Sequence, residues 1–318
     1  MAPGRVADRR PIVRYIRAAS SLFMRFGIVV TDPDDWTARA IRDGFSRLGA
    51  ESPFLNFSQL AARIGPGLHI RGNGIDLVGL DGLVVRDLGR SGSVDVAFRF
   101  ETLSALQQLG LPIVNPPSAI SRAANKFATS IALHQAGIPH PKTLVTTSFE
   151  AASKFVSEQG RAVTKPLFGY KGRDLALLTS EDLHPLREVL ASSGVVYLQE
   201  FLESTAPSPR DIRVFVVGGQ VAGAIYRVAP PGSWISNLSQ GGAPERCPLT
   251  DEIEELALKA NGAVGTVYSG VDLIETVEGL AVLEVNGTPS GRGVYLAWGI
   301  DAGEMIAGHL VDRLDESG

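Results

Sequence analysis

The sequence of 318 residues contains 30 lysine and arginine residues against 34 aspartate and glutamate residues, a formal net charge of −4 at pH 7. This near balance gives no indication of wholesale binding to nucleic acid or to acidic membranes. The single cysteine, Cys247, excludes an internal disulfide and is typical of a reducing cytoplasm, where we expect the protein. No apolar run approaches the roughly 18 residues of a membrane-spanning helix.

The chain begins with a basic segment, residues 1–24. It contains Arg5, Arg9, Arg10, Arg14 and Arg17 against one acid, Asp8. Two of these arginines interrupt its apolar part, which argues against a signal peptide. A basic arm that touches RNA or lipid is one alternative, and a start codon upstream of the true Met24 is another. We expect a poorly ordered extension.

Residues 25–117 alternate strand and helix patterns. An apolar run at 26–30 is followed by a helical pattern, and a second helix at 94–109 leads to a strand at 112–116. The first helical pattern consists of Trp36, Ala40, Ile41, Phe45 and Leu48. This alternation predicts a small open α/β domain.

Residues 118–194 form the next predicted unit, which opens with a linking helix from Asn125 to Gly137. Strands are expected at 143–146, 162–165 and 175–178, and helices at 148–159 and 180–192. The loop at 166–174 joins the second strand to the third. The pattern predicts a second small α/β domain.

Strands dominate residues 195–318, so this part is predicted to be α+β. They are expected at 195–201, 212–217 and 221–226, and in a hairpin formed by 271–275 and 280–287. A helix is expected at 250–266, with Asp251 and Glu252 in its first turn, where acidic residues are stabilising.

The C-terminal hairpin brings polar side chains together. If its turn is centred on Glu278, Asp272 lies opposite Glu284, and Asn286 follows on the same face because strand side chains alternate. The other face would carry Val271, Leu273, Leu283 and Val285. Facing carboxylates destabilise a strand pair, so a positive group should lie between them. Two carboxylates and an amide suit Mg²⁺, and a solvated hairpin face is the alternative.

The loop after Lys165 contains Gly169 and Gly172. A lysine at a strand end beside exposed backbone N–H groups suits a phosphate group. The loop matches neither a Walker A motif nor a dinucleotide-binding fingerprint. A surface hairpin loop is equally compatible with the pattern.

Three further segments carry polar residues. The strand that ends at 199–203 is compatible with an ordinary buried strand, or with one whose backbone pairs with adenine while an acid binds the ribose. Arg213 and Arg227 lie on two neighbouring strands and are either exposed strand residues or part of a site. Residues 234–242 then form a polar loop that ends in two glycines.

In this order, the segments resemble the ATP-grasp superfamily over roughly residues 115–312, and most closely the RimK-related α-L-glutamate ligases. The family pattern is a lysine before a helix, K-P-L-x-G-x-x-G, Q-E-[FY], D-[IF]-R, a further R, W-x-x-N-x-x-x-G-G, and G-x-D followed by E-V-N. The chain matches it at Lys126, 165–172, 199–201, 211–213, Arg227, 234–242 and 270–286. The resemblance implies an ATP-grasp fold with a pre-ATP-grasp domain at 25–117, a small lid subdomain at 118–194 and a C-terminal subdomain with the metal site at 195–318.

The resemblance also implies a role for each matching residue. ATP would be bound by Lys126, Lys165, Gly169, Gly172, Gln199, Glu200, Phe201, Leu202, Glu203 and Asp211. The catalytic residues would be Arg213, Arg227 and Asn237. One or two Mg²⁺ ions, for which Mn²⁺ can substitute, would be bound by Asp272, Glu284 and Asn286. Ser290 and Arg292 are expected to contact a substrate, although Arg292 also suits a solvent-exposed helix start.

A ligase of this family lets a carboxylate attack the γ-phosphorus of ATP, and an amine then displaces phosphate from the acyl phosphate to form an amide. The expected partners are a small-molecule carboxylate and an amine, with glutamate as the amine, and neither nucleic acid nor membrane. A homo-oligomer is left open. The N-terminal half looks most like ligases that add glutamate to pterin or deazaflavin coenzymes, and tetrahydromethanopterin is the narrowest expectation.

Two alternatives remain at this point. One is an ATP-grasp small-molecule kinase, in which a hydroxyl group accepts the γ-phosphate. The other is a nucleotide-binding scaffold with impaired catalysis, because relatives commonly have glycine where Asp174 stands in this chain.

Overall fold

The computed structural model describes residues 24–89, 93–169 and 174–315. Apart from Met24, the predicted basic extension lies outside the described residues, and so does Gly172. The chain divides into two compact units. One is built from residues up to Pro117 and from Ala307 onward, and the other spans Ser118–Ile306.

The first unit contains a four-stranded parallel sheet. Its strands are β1 (Phe26–Val29), β2 (Phe54–Leu55), β6 (Gly82–Val85) and β7 (Ile113–Val114), and its helices are α1 (Trp36–Arg47) and α2 (Ser93–Gln108). The strand order is β2-β1-β6-β7. Helix α1 begins after Asp35, whose carboxylate accepts the N–H of Ala38 at 2.7 Å, and it buries Ile41 and Phe45. The predicted α/β class is confirmed.

A small antiparallel sheet in this unit was not predicted from the sequence. It consists of β3 (Leu60–Ile64), β4 (Leu68–Gly72) and β5 (Ile75–Asp76), paired in that order. Most residues of its first two strands are exposed. They therefore lack the apolar alternation by which a half-buried strand is recognised in a sequence.

The second unit begins with helices and an antiparallel sheet. The helices are α3 (Pro117–Ala124), α4 (Lys126–Gln135), α5 (Phe149–Gln159) and α6 (His184–Ser193), and the strands are β8 (Thr143–Thr146), β9 (Arg161–Lys165), β10 (Ala176–Thr179) and β11 (Val196–Glu200). The strand order is β10-β9-β11-β8. Ala162 and Leu198 pack with Val156 of α5 in a core. Side chains alternate along a strand, so Val163, Lys165 and Gln199 point to the opposite face.

A five-stranded antiparallel sheet completes the second unit. Its strands are β12 (Arg210–Val217), β13 (Gln220–Val228), β14 (Ala243–Arg246), β15 (Tyr268–Thr276) and β16 (Gly279–Asn286), in the order β14-β13-β12-β15-β16. Helix α7 (Asp251–Val264) packs Ala257 and Ala260 against this sheet, and Thr250 Oγ1 caps it by accepting the N–H of Ile253 at 3.3 Å. Helix α8 (Arg292–Trp298) follows, and then helix α9 (Ala302–Asp315), whose residues from Ala307 onward belong to the first unit. Among the described residues, no helix has the length and apolar character needed to cross a membrane.

Candidate active site

A cavity of about 340 Å³ lies in the second unit and is lined by both of its sheets. The predicted site residues that line it are Lys126, Lys165, Gly169, Gln199, Glu200, Phe201, Leu202, Glu203, Asp211, Arg227, Asn237, Asp272 and Glu284. Lys126 and Glu284, which are in contact, are 158 positions apart in the sequence. The fold thus gathers most of the predicted residues around one cavity.

An acidic pair at this cavity lies on neighbouring strands of the C-terminal hairpin. Asp272 of β15 is directly opposite Glu284 of β16, as predicted. The hairpin has a two-residue turn after Thr276, however, and not one centred on Glu278. That turn alone would place Leu283 opposite Asp272. A β-bulge next to Asp272 adds one residue and restores the predicted pair.

The same bulge changes which apolar side chains reach the core. Leu283 was expected on the apolar face with Val271 and Val285, and this expectation was wrong. Leu283 lines the cavity, and Val282 takes its place as a fully buried core residue. The reason is that an extra residue in one strand reverses the alternation of side chains beyond it.

Two arginines bind the carboxylate of Asp272, which is almost fully buried. Arg213, its cross-strand neighbour on β12, donates Nε to Oδ1 at 2.7 Å and Nη2 to Oδ2 at 2.6 Å. Arg227 of β13 reaches Oδ2 with Nη2 at 2.9 Å. Burial alone would raise the pKa of Asp272, but the two guanidinium groups outweigh it and lower the pKa below its usual range. Arg213 does not line the cavity.

Arg227 is the most buried cation of the cavity, with a side chain that is 3% exposed. It lies opposite Asp211 and donates Nε to Asp211 Oδ1 at 2.6 Å, while its Nη2 donates to Oδ2. Burial lowers the pKa of Arg227, and the carboxylates of Asp211 and Asp272 raise it by more. The guanidinium group therefore stays charged.

Two lysines lie beside the second carboxylate. Lys126, at the start of α4, donates to Glu284 Oε1 at 3.0 Å and to the carbonyl oxygen of Gly169 at 3.2 Å. Lys165, at the end of β9, donates to Gln199 Oε1 at 2.5 Å. Burial lowers the pKa of Lys165 below its usual range, Glu284 opposes this effect, and Lys126 adds to it. Each of the facing carboxylates thus has its own cationic partners in the protein, arginines at Asp272 and Lys126 at Glu284.

Residues 199–203 also line the cavity, and two of their carboxylates have protein partners. Glu200 accepts the backbone N–H of Lys142 at 2.7 Å and pairs with its Nζ at 3.3 Å. Glu203 pairs with Arg161, whose guanidinium carbon lies 4.6 Å from the centre of the Phe201 ring. Arg161, which sequence reasoning did not single out, therefore holds Glu203 and covers Phe201.

The loop after β9 is described up to Gly169 and again from Asp174. A Cβ at position 169 would lie 2.6 Å from Pro166 Cγ, so only glycine fits there. Asp174 has a φ of +58°, in the left-handed region that glycine favours. Aspartate is among the residues that adopt this conformation more readily than most. The acid at position 174 therefore keeps a backbone conformation that suits glycine.

The polar loop at 234–242 contributes to the cavity wall through Trp234 and Asn237. The Trp234 ring meets the Phe201 ring edge to face, with centroids 5.7 Å apart. Ser236, which lies between Trp234 and Asn237 in the sequence, donates its hydroxyl to Asp211 Oδ2 at 2.7 Å. Ser236 was not among the predicted site residues.

Residues 123–310 match the family model described as the RimK-like ATP-grasp domain. This chain belongs to the RimK-like ATP-grasp family. It is 40% identical to the tetrahydromethanopterin:α-L-glutamate ligase of Methanosarcina acetivorans, in an alignment that covers 91% of this chain and 99% of that protein. The ligase of the same name from Methanocaldococcus jannaschii is 44% identical over 68% of this chain and 74% of its own length.

A solved structure supports the fold independently. The ATP-grasp ligase PsnB, complexed with a minimal precursor, has a TM-score of 0.74 at 22% identity and covers 92% of this chain and 100% of its own. A further PsnB structure, with a TM-score of 0.70, is a complex with precursor, Mg and ADP. The ATP-grasp fold is confirmed, and so is the predicted enzyme class of the RimK-like family, an ATP-dependent ligase that forms C–N bonds.

The residues of this RimK-like chain that fit a divalent cation are Asp272, Glu284 and Asn286, since carboxylate and amide oxygens are the donors that Mg²⁺ prefers. The Asn286 amide lies beside the first carboxylate, with Nδ2 3.4 Å from Asp272 Oδ2. Asp272 already accepts two N–H groups of Arg213, one of Arg227 and the amide of Asn286. These donors use the about four lone-pair sites of a carboxylate, so a cation at Asp272 would displace one of them. In the described ranges, no group of three or more His, Cys, Asp or Glu residues could hold a metal ion.

The predicted substrate residues lie outside the cavity. Ser290 and Arg292 are both exposed, and neither lines it. Arg292 is the first residue of α8, and its backbone N–H donates to Ser290 Oγ at 3.4 Å. These contacts fit the alternative interpretation of Arg292 as a solvent-exposed helix start.

Sequence reasoning missed the apolar part of the cavity wall. Its main members are Val163, Leu175, Ile235, Ile274 and Leu283. Val163 precedes Lys165 by two residues on the same strand face, so the alternation of side chains could have identified it. Leu283 could not be found in this way, because the bulge changes the face to which it points.

Lys165→Ala is expected to weaken ATP binding about tenfold to a hundredfold, because a hydrogen bond to a charged group contributes roughly 1.5–3 kcal/mol. Isothermal titration calorimetry measures this change. Lys154→Ala is the matched control, since its side chain is 77% exposed on α5. Unchanged ATP affinity in Lys165→Ala would remove Lys165 from the phosphate site.

Proposed function

We propose that this protein is an ATP-dependent ligase that joins the amine of L-glutamate to a carboxylate of a tetrahydromethanopterin-type pterin. The observation that carries the proposal is the cavity wall that combines Lys126, Lys165 and Arg227 with Asp272 and Glu284. Two relatives with this activity in their names, at 40% and 44% identity, support the substrate class. The free and buried Cys247 suits the cytoplasm, where we propose that the reaction takes place.

In the first step, an oxygen of the pterin carboxylate attacks the γ-phosphorus of ATP, ADP leaves, and an acyl phosphate forms. Lys126 and Lys165 bind the phosphate groups, and Arg227 with Asn237 orients the reacting carboxylate. Positioning and charge neutralisation dominate phosphoryl transfer. A site without a histidine or cysteine nucleophile is sufficient for this chemistry.

In the second step, the nitrogen of glutamate attacks the acyl carbon and forms a tetrahedral oxyanion. The C–O bond to phosphate then breaks, phosphate leaves with the electron pair, and the nitrogen loses a proton as the amide forms. Arg227 stabilises the oxyanion because its guanidinium is charged and fixed in place. Bound by Asp272, Glu284 and Asn286, one or two Mg²⁺ ions would neutralise charge on the β- and γ-phosphates.

Product analysis tests this function. The purified protein is incubated with ATP, Mg²⁺, L-glutamate and a panel of pterin carboxylates, and mass spectrometry identifies the products. The expected result is ADP, phosphate and a pterin that has gained one or more glutamyl residues. ADP with a phosphorylated substrate would identify a kinase, and bound ATP without turnover would identify a scaffold. Either outcome would refute the ligase.

Glu284→Gln is expected to abolish Mg²⁺-dependent turnover. Removal of a residue that only hydrogen-bonds a metal ligand costs about 10–100-fold, and loss of the ligand itself should cost more. Stability should change little, because the repulsion from Asp272 is removed while Lys126 loses its charged partner. Phosphate release at saturating Mg²⁺ and thermal unfolding measure the two effects. Glu278→Gln, in the exposed hairpin turn, is the control. Near-normal turnover of Glu284→Gln would exclude this carboxylate as a metal ligand.

A further inference from the structure

A chain of buried contacts runs from the loop at 234–242 to Arg227. Ser236 Oγ donates to Asp211 Oδ2 at 2.7 Å, and Asp211 Oδ1 accepts from Arg227 Nε at 2.6 Å. Arg227 Nη2 also donates to Asp211 Oδ2. Ser236 and Asp211 are each 8% exposed, and Arg227 is 3% exposed. Both carboxylate oxygens of Asp211 therefore accept hydrogen bonds from protein donors, contacts that the sequence did not predict.

We propose that Asp211 and Ser236 are positioning residues that hold the Arg227 guanidinium in the orientation needed for amide formation. The inference rests on the proposed ligase function. Contact through two parallel N–H groups fixes the plane of a guanidinium, which one contact does not. Ser236 in turn fixes the carboxylate, because its hydroxyl limits the rotation of Asp211.

The geometry determines which edge of Arg227 is left for a ligand. Nε and Nη2 both face Asp211, and Nη2 also lies 2.9 Å from Asp272 Oδ2. Within the described part of the chain, no protein acceptor binds Nη1. Since Arg227 lines the cavity, Nη1 is the nitrogen that remains for an anion bound there.

Through Ser236, the orientation of Arg227 also depends on the position of the loop at 234–242. Its neighbour Trp234 packs against Phe201, and its neighbour Asn237 lines the cavity. The loop is tightly closed at its other end, where a Cβ on Gly242 would lie 2.1 Å from the carbonyl oxygen of Ser236. A shift of this loop would therefore move the hydroxyl that orients Asp211 and, through it, Arg227.

Ser236→Ala tests the proposal in the full-length enzyme. Loss of one hydrogen bond to a charged group is expected to lower kcat about tenfold, while the Kd for ATP changes less than about twofold. Ser233→Ala, at the position just before this loop, is the matched control, because its hydroxyl accepts the backbone N–H of Ile235 at 3.0 Å. An unchanged kcat in Ser236→Ala, or an equal loss of ATP affinity, would overturn the proposal.

A double-mutant cycle tests whether Ser236 acts through Arg227. In an Arg227→Lys background, Ser236→Ala should lower kcat by less than a further factor of about two, because the group that it orients is gone. A full tenfold loss in that background would show an independent role for Ser236 and would also overturn the proposal.

A measurement without turnover separates this inference from the ligase function. Exchange of the Arg227 Nε proton is recorded by ¹⁵N NMR on arginine-labelled protein, and the signal is assigned by its loss in Arg227→Lys. Exchange should be at least about tenfold faster in Ser236→Ala and Asp211→Asn than in the wild type. Unchanged exchange refutes the positioning role. Faster exchange in a protein that forms no amide refutes only the ligase.

Discussion

Arg227→Lys is expected to lower the rate of amide formation about 10²–10³-fold, the usual cost of losing one oriented donor to a developing oxyanion. Lysine keeps the positive charge but has no planar fork. It cannot hold Asp211 through two N–H groups and present a third nitrogen to the acyl phosphate. ATP affinity should fall less than about tenfold, because the charge remains and Lys126 and Lys165 still bind phosphate. Amide formation is measured by mass spectrometry, and ATP binding by calorimetry.

Arg246→Lys is the matched control for this prediction. Arg246 lies on the neighbouring strand β14, where it packs over the Trp298 ring and donates Nε to the carbonyl oxygen of Ala297 at 2.7 Å. Arg246 does not line the cavity, so Arg246→Lys should retain both the wild-type rate of amide formation and the wild-type affinity for ATP. If Arg227→Lys retained more than about a tenth of the wild-type rate, Arg227 would not be the oxyanion donor.

Asp272→Asn is expected to lower the free energy of unfolding by about 3–5 kcal/mol, the usual cost of removing one partner from a buried ion pair. The substitution leaves the guanidinium groups of Arg213 and Arg227 without the carboxylate that they share. Turnover should also be lost, because the same carboxylate is the proposed metal ligand. Chemical denaturation at pH 7 measures the change in stability.

The stability difference between the wild type and Asp272→Asn should depend on pH. The pKa of Asp272 is lowered in the fold, because Arg213 and Arg227 outweigh the effect of burial. As the pH falls, the unfolded chain takes up a proton at this position before the folded protein does. The contribution is therefore complete above the ordinary aspartate pKa of about 4, and it is lost as the pH falls toward the lowered value.

Glu275→Gln is the control for the loss of stability and for its dependence on pH. Glu275 lies on the same strand and pairs with Arg210 at 2.8 Å, but both side chains of that pair are partly exposed. Its removal should cost no more than about 1 kcal/mol, because solvent screens such pairs. Equal losses of stability in Asp272→Asn and Glu275→Gln would contradict the prediction that the buried ion pairs of Asp272 contribute more to the free energy of unfolding than an exposed pair does.

The acidic pair shows how far local patterns extend. Alternation along two short strands was enough to predict that Asp272 faces Glu284. The prediction placed the turn on Glu278, whereas the hairpin has a tighter turn and a bulge that compensates for it. Leu283 was therefore assigned to the wrong face. A bulge depends on what packs against both faces of a strand, and one strand's sequence does not contain that information.

The sequence did not predict which carboxylates the site arginines contact. Arg213 and Arg227 were recognised as candidates, but their carboxylate partners depend on how β12 aligns with β13 and β15. Asp211 was predicted to bind ATP, and this stays a prediction, but the sequence did not indicate that its oxygens accept hydrogen bonds from Arg227 and Ser236. Pairing between strands is a long-range property, because its register is set by the whole sheet and the helix packed on it.

The sequence by itself determined the order of the motifs, the family that they indicate and the strand faces that carry Lys165, Asp272 and Glu284. Each of these depends on residue type and on spacing within a few positions, which the chain specifies locally. Only the tertiary structure decided that Lys126 contacts Glu284 and that Ser236 reaches Asp211. Such contacts form when separate elements pack together, so their geometry depends on the complete core and not on any one segment.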